Sequence, residues 1–227
     1  MPGKASSSLL VNLPNALTAG RIAITPLIAL LPLAESWVLR LVAWIVFLIA
    51  AISDYYDGVL ARTRNQITDL GKLLDPLADK LLLVGTFIPM FWLMNSTLPF
   101  VTPLGQVGLP WWIVAIVLGR ELFMTVFRQA AARRGVVIAS IGPAKWKTTF
   151  QLVWLGAAYF WFWIATLAAA KHWDGAGWRA FANFNGIAGT LTMTAAVLLT
   201  VYSLWLYLRR YGGLFIAPHG IAARDSR

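Results

Sequence analysis

The sequence predicts an all-α, polytopic integral membrane protein with six transmembrane helices and a short N-terminal interfacial segment. Three observations predict it. Of 227 residues, 59% are apolar and only 12% charged, unlike the usage of soluble domains. Six apolar stretches are each long enough to span a bilayer, which takes about 20 residues. The cations punctuate these stretches instead of forming one patch, as juxtamembrane anchors do.

In chain order, residues 1–17 form an N-terminal cytoplasmic or interfacial segment with no cleavable-signal pattern. Its VNLPNALT stretch carries the Pro and Asn signals of a turn before a helix start. Residues 18–211 form one six-helix domain, with spans at 18–34, 37–60, 71–94, 109–132, 147–170 and 186–208. The first is short and holds Pro26 and Pro32, which membrane helices tolerate. Trp37, Trp92, Trp111, Trp112, Trp173 and Trp205 fall towards span ends, as in an interfacial belt. The aromatic run YFWFWI at 159–164 reads as a lipid-facing or packing surface, not a cofactor box. Residues 212–227 are a cytoplasmic tail.

With the N-terminus inside, sixteen of the nineteen cations lie on or near the inner side, leaving Arg40, Lys171 and Arg179 outside. That asymmetry places both termini in the cytoplasm. The chain has no cysteine, which excludes disulfides and thiolate chemistry. His172 and His219 are too distant in sequence to suggest a zinc site. A net charge of +10 invites a nucleic-acid reading, but the scattered cations argue for lipid and against nucleic acid.

Five of the nine acidic residues fall in residues 54–79. Asp69 reads as a helix cap. Asp54 and Asp57 share a helix face at i,i+3, and Asp75 and Asp79 share one at i,i+4. The two helices read as an antiparallel hairpin with its turn at about 63–70. Asp54 precedes Arg62 by eight positions and Asp79 follows Gly71 by eight, so both lie roughly 12 Å from the turn. Carboxylates about 5 Å apart at an effective dielectric near 20 repel by roughly 3 kcal/mol per pair. Either some are protonated or a cation is bound. With only oxygen donors, one or two hard divalent ions, Mg2+ or Mn2+, fit best. Two would suit phosphoryl transfer. A solvated charge explains one such acid well; acids inside apolar helices default to function. Gly58 and Ala61 form a small strip beyond Asp57 where a flat group can approach, Gly71 opens the facing helix, and Arg62 can hold phosphate. Small residues in membrane helices also serve packing.

Asp54, Asp57, Gly58, Ala61, Arg62, Gly71, Asp75 and Asp79 stand in the pattern D-x2-D-G-x2-A-R-x8-G-x3-D-x3-D. This resembles, without departure, the signature of the CDP-alcohol phosphatidyltransferases, a family of six-helix membrane enzymes. The resemblance implies a Mg2+- or Mn2+-dependent enzyme with two ions, acting on CDP-diacylglycerol, releasing CMP and working as a homodimer. It implies that Asp54, Asp57, Asp75 and Asp79 hold metal and that Asp79 is also the base for the acceptor hydroxyl. Asp57, Gly58, Ala61, Arg62 and Gly71 would bind the CDP-lipid. A bacterial cytoplasmic membrane is the expected location.

The stretches NLPNALTAGR and 119–151 resemble the branch that uses glycerol 3-phosphate. A phosphorylated acceptor needs cations, and Arg120, Arg128, Lys145 and Lys147 are the candidates. Membrane anchoring is the plainer reading for each, although Arg120 lies deeper than an anchor needs, beside Glu121. Inositol phosphate, phosphatidylglycerol and serine are alternative acceptors. A divalent-cation carrier is the alternative of another class, but the helices are apolar beyond the acids.

Overall fold

The computed structural model describes residues 13–63, 69–139 and 142–213, without side chains at 13–15, 17, 54–63, 69–73 and 75. Within these, six α-helices follow one another: α1 (Leu13–Leu30), α2 (Trp37–Thr63), α3 (Asp69–Ser96), α4 (Trp111–Arg133), α5 (Gly142–Ala170) and α6 (Ala176–Tyr211). A 3-10 turn (Leu31–Leu33) follows α1. Between α3 and α4 lies an antiparallel hairpin of β1 (Phe100–Thr102) and β2 (Gly105–Val107), paired Phe100 to Val107 and Thr102 to Gly105. Three helical segments, in α3, α5 and α6, are long and apolar enough to cross a membrane, and shorter apolar ones cover 18–33 and 37–53. The architecture is that of a helical membrane protein. Large apolar side chains such as Ile49, Ile88, Leu191 and Leu198 point outward, where lipid tails are their natural solvent.

The helix bounds depart from expectation in instructive places. α1 starts at Leu13, five residues early. Pro14 then sits in the first turn, where a missing N–H costs nothing. α6 starts ten residues early because Trp178 and Phe181, outside the apolar window, stack on one another and against α5 rings, Trp178 on Trp161 and Phe181 against Phe160. Its 36 residues run roughly 54 Å, well past a hydrocarbon core of about 30 Å. The hairpin at 100–107 is the one departure from an all-α chain among the described residues.

α1 packs against both α2 and α3, α5 against α2 and α6, and the hairpin against α6. α1 thus lies beside both α2 and α3; the expected turn of the α2–α3 hairpin, at about 63–70, falls largely outside the described residues. The core runs through Phe47, Phe87, Trp154, Tyr159 and Phe162. Of the aromatic run 159–164, Tyr159, Trp161 and Phe162 are buried, so packing claims them more than lipid does.

Two details show how the chain closes its own gaps. Pro32 has no N–H to offer the Ile28 carbonyl one turn back. The Tyr159 hydroxyl supplies the donor, 3.2 Å from Ile28 O and 3.3 Å from Thr86 O, and so joins α5 to α1 and α3. Beside the hairpin, Gly186 and Gly189 let β1 lie directly on α6. A Cβ at Gly186 would overlap the Val101 backbone, and one at Gly189 the Phe100 ring.

Candidate active site

Away from the hairpin, α3, α4 and α5 enclose a cavity of about 510 Å³. α3 brings Asp79 and Lys80 to its wall, α4 brings Arg120, Glu121 and Arg128, and α5 brings Lys147 and Gln151. A second cavity of about 430 Å³ shares Arg120, Glu121, Arg128 and Lys147 and adds Lys145. Helical spacing explains the grouping. Arg120 and Arg128 are eight apart and Lys147 and Gln151 four apart, so each pair shares a face.

Each charge has an identifiable setting. Glu121 Oε1 accepts from Arg120 Nη1 at 3.1 Å and also from Lys147 Nζ. Arg120 and Lys147 are almost wholly buried. Arg120 Nη2 donates to Ser203 Oγ at 3.2 Å, and the Ser203 hydroxyl in turn donates to the Thr200 carbonyl. Arg128 Nη2 donates to the Tyr207 hydroxyl at 3.3 Å, and that hydroxyl reaches Ala139 O. Both guanidinium carbons lie about 6 Å from the Tyr207 ring centre, within cation–π range. α6 thus fixes both arginines from behind. Among the described residues common to both cavities, Arg120, Arg128 and Lys147 face one carboxylate, Glu121, and Asp79 lines the first cavity as well. Charges removed from water need partners, and an excess of cations on this wall can accommodate an anion.

Asp79 lies on α3, and Arg21 Nη1 donates to its Oδ1 at 2.8 Å. Arg21, read from sequence as an inner-side anchor, is instead buried against α3, while the Asp79 side chain stays 58% exposed. The pair ties α1 to α3 and holds Asp79 at the cavity wall.

For the other residues expected from the acidic motif, Asp54, Asp57, Gly58, Ala61, Arg62, Gly71 and Asp75, the side-chain positions lie outside the described residues. Their backbones are helical, on α2 and α3, which keeps the i,i+3 and i,i+4 pairing of the acids. Among the described residues no three acids or histidines cluster. The donor set of four carboxylates, carried in pairs on two helices, fits a hard divalent ion.

The structure therefore brings Asp79, Arg120, Arg128 and Lys147 to one cavity, with Lys145 beside it. Arg21, Gln151, Ser203 and Tyr207 were missed from sequence. Only the i,i+4 spacing of Lys147 with Gln151 and of Ser203 with Tyr207 hinted at them.

The family described as CDP-alcohol phosphatidyltransferase matches residues 11–202. The chain is 34% identical over 200 residues to a "probable phosphatidylglycerophosphate synthase" of Mycobacterium tuberculosis, covering 87% of this chain and 80% of that one. It is 35% identical over 159 residues to the CDP-diacylglycerol–glycerol-3-phosphate 3-phosphatidyltransferase of Bacillus subtilis, covering 64% and 75%. A cardiolipin synthase (CMP-forming) of Streptomyces coelicolor is 31% identical over 184 residues, covering 74% and 75%.

Proposed function

Because the chain belongs to the CDP-alcohol phosphatidyltransferase family, we propose that it transfers the phosphatidyl group of CDP-diacylglycerol to glycerol 3-phosphate, giving phosphatidylglycerophosphate and CMP. The observation that carries the choice of acceptor is the wall where three cations, Arg120, Arg128 and Lys147, outnumber the one carboxylate, Glu121, among the described residues that both cavities share. A phosphomonoester dianion supplies the missing negative charge. Serine does not.

Asp54, Asp57, Asp75 and Asp79 would hold Mg2+ or Mn2+, which when bound polarises the donor's diphosphate. The remaining work belongs to side chains. Arg120 and Lys147 exchange part of their bonding to Glu121 for the acceptor phosphate, and Arg128, steadied by Tyr207, closes over it. Asp79, oriented by Arg21, takes the proton of the acceptor hydroxyl. The hydroxyl oxygen then forms its bond to the lipid-side phosphorus, and the bond from that phosphorus to the CMP oxygen breaks. Gly58, Ala61, Arg62 and Gly71 would cradle the CDP group. The lipid tails stay among the outward apolar side chains, and the cavity end faces the cytoplasm, where the water-soluble acceptor and CMP diffuse.

The test is CMP release from CDP-diacylglycerol by the purified protein in mixed micelles, with one acceptor at a time. Glycerol 3-phosphate should support turnover far above serine, inositol phosphate or phosphatidylglycerol. Turnover with phosphatidylglycerol and not glycerol 3-phosphate would reassign the chain to cardiolipin formation.

A further inference from the structure

Among the polar side chains of the cavity that the charge network leaves unused, Gln151 is the one that is buried with an unpartnered oxygen. Gln151 lies on α5 one turn beyond Lys147 and is 94% buried, with only 6% of its surface exposed. It lines the same cavity as Asp79, Arg120 and Lys147. Among the described residues its Oε1 has no hydrogen-bond partner, and Leu155, Leu83 and Phe47, which line the cavity with it, offer no side-chain donor. A buried carboxamide oxygen without a partner is costly, and folded proteins rarely keep one unless a water, an ion or a ligand completes it.

Resting on the glycerol 3-phosphate reading, we propose that Gln151 recognises the non-reacting hydroxyl of the acceptor and determines specificity for a phosphorylated polyol over a simple phosphorylated alcohol. Lys147 and Gln151 are four positions apart, roughly 6 Å along the helix. A three-carbon phosphate ester covers that spacing, with its phosphate at Lys147 and Arg120 and its middle hydroxyl at the amide. Its terminal hydroxyl is left for Asp79 on the α3 wall. A carboxamide offers a donor at one end and an acceptor at the other, and a hydroxyl pairs with either. An acceptor lacking that hydroxyl leaves the amide unpaired, which is how buried polar groups reject isosteres.

The experiment compares glycerol 3-phosphate with 3-hydroxypropyl phosphate, which differs only in lacking the middle hydroxyl. kcat/KM for CMP release is measured with the wild type and Gln151→Leu; Gln151→Met, nearly equal in length, replaces the leucine variant if that fails to fold. The wild type should prefer glycerol 3-phosphate by roughly ten- to a hundredfold. The variant should lose most of that preference by falling on glycerol 3-phosphate while staying within about threefold on the analogue. An equal loss on both acceptors marks Gln151 as structural and overturns the proposal, as does an undiminished preference or a wild type that does not discriminate. A wild type that turns over other acceptors but neither of these two overturns the glycerol 3-phosphate reading, and this proposal with it.

Discussion

The two ends of the helical bundle each bury an arginine, and they treat it differently. At the hairpin end, Arg40 donates from Nε to Pro32 O at 2.9 Å and from Nη1 to Thr166. It ties the 3-10 turn to α5, and the backbone around it is drawn tight, with β1 seated on Gly186 and Gly189. At the cavity end, Arg120 and Lys147 compete for one Glu121 oxygen. Arg120 Nε and Gln151 Oε1 find no partner among the described residues, and about 510 Å³ stays open beside them. A charge used for architecture is hydrogen-bonded to the fold and closed over. The charges proposed to hold a ligand are left short of partners among the described residues, as a site completed by its ligand would be.

The largest effect that would sharpen this contrast lies in the acidic motif. On the proposed metal reading, Asp57→Ala or Asp75→Ala should abolish CMP release, since each removes one of the carboxylates that would hold the cation. Turnover retained in excess chelator would break the metal reading. Next comes Asp79→Asn, which should lower kcat by roughly 10²–10⁴ with little change in CDP-lipid binding, checked by single-turnover kinetics. A change confined to binding would leave Asp79 as Arg21's partner alone.

Lys147→Met should raise the acceptor KM by about ten- to a hundredfold, the equivalent of roughly 1.5–3 kcal/mol for a hydrogen bond to a charged group, while the KM for CDP-diacylglycerol stays level. An unmoved acceptor KM would return Lys147 to anchoring. The smallest effect on activity is expected at the opposite end. Gly186→Ala forces Val101 away from α6 and should cost about 1–3 kcal/mol of stability, seen as a lower Tm in detergent. Acceptor KM should not change, and a change would mean the two ends are coupled.

The sequence by itself determined the helical membrane class and the register of the acids. Both are periodic properties: hydropathy repeats with the turn of a helix, and Asp54 with Asp57 or Asp75 with Asp79 share a face whatever the helices pack against. It also singled out Arg120, Arg128 and Lys147, because cations inside apolar helices stand out. Only the tertiary structure decided what those groups meet. Arg21 finds Asp79 58 positions away, Lys147 finds Glu121 26 away, and Arg120 finds Ser203 83 away. The hairpin was equally hidden, since three-residue strands are too short to show alternation and exist here because two glycines on α6 give β1 a seat. Periodicity fixes which face of a helix is polar. Which partner that face meets is fixed by how helices distant in sequence pack, and that depends on the whole set of contacts at once.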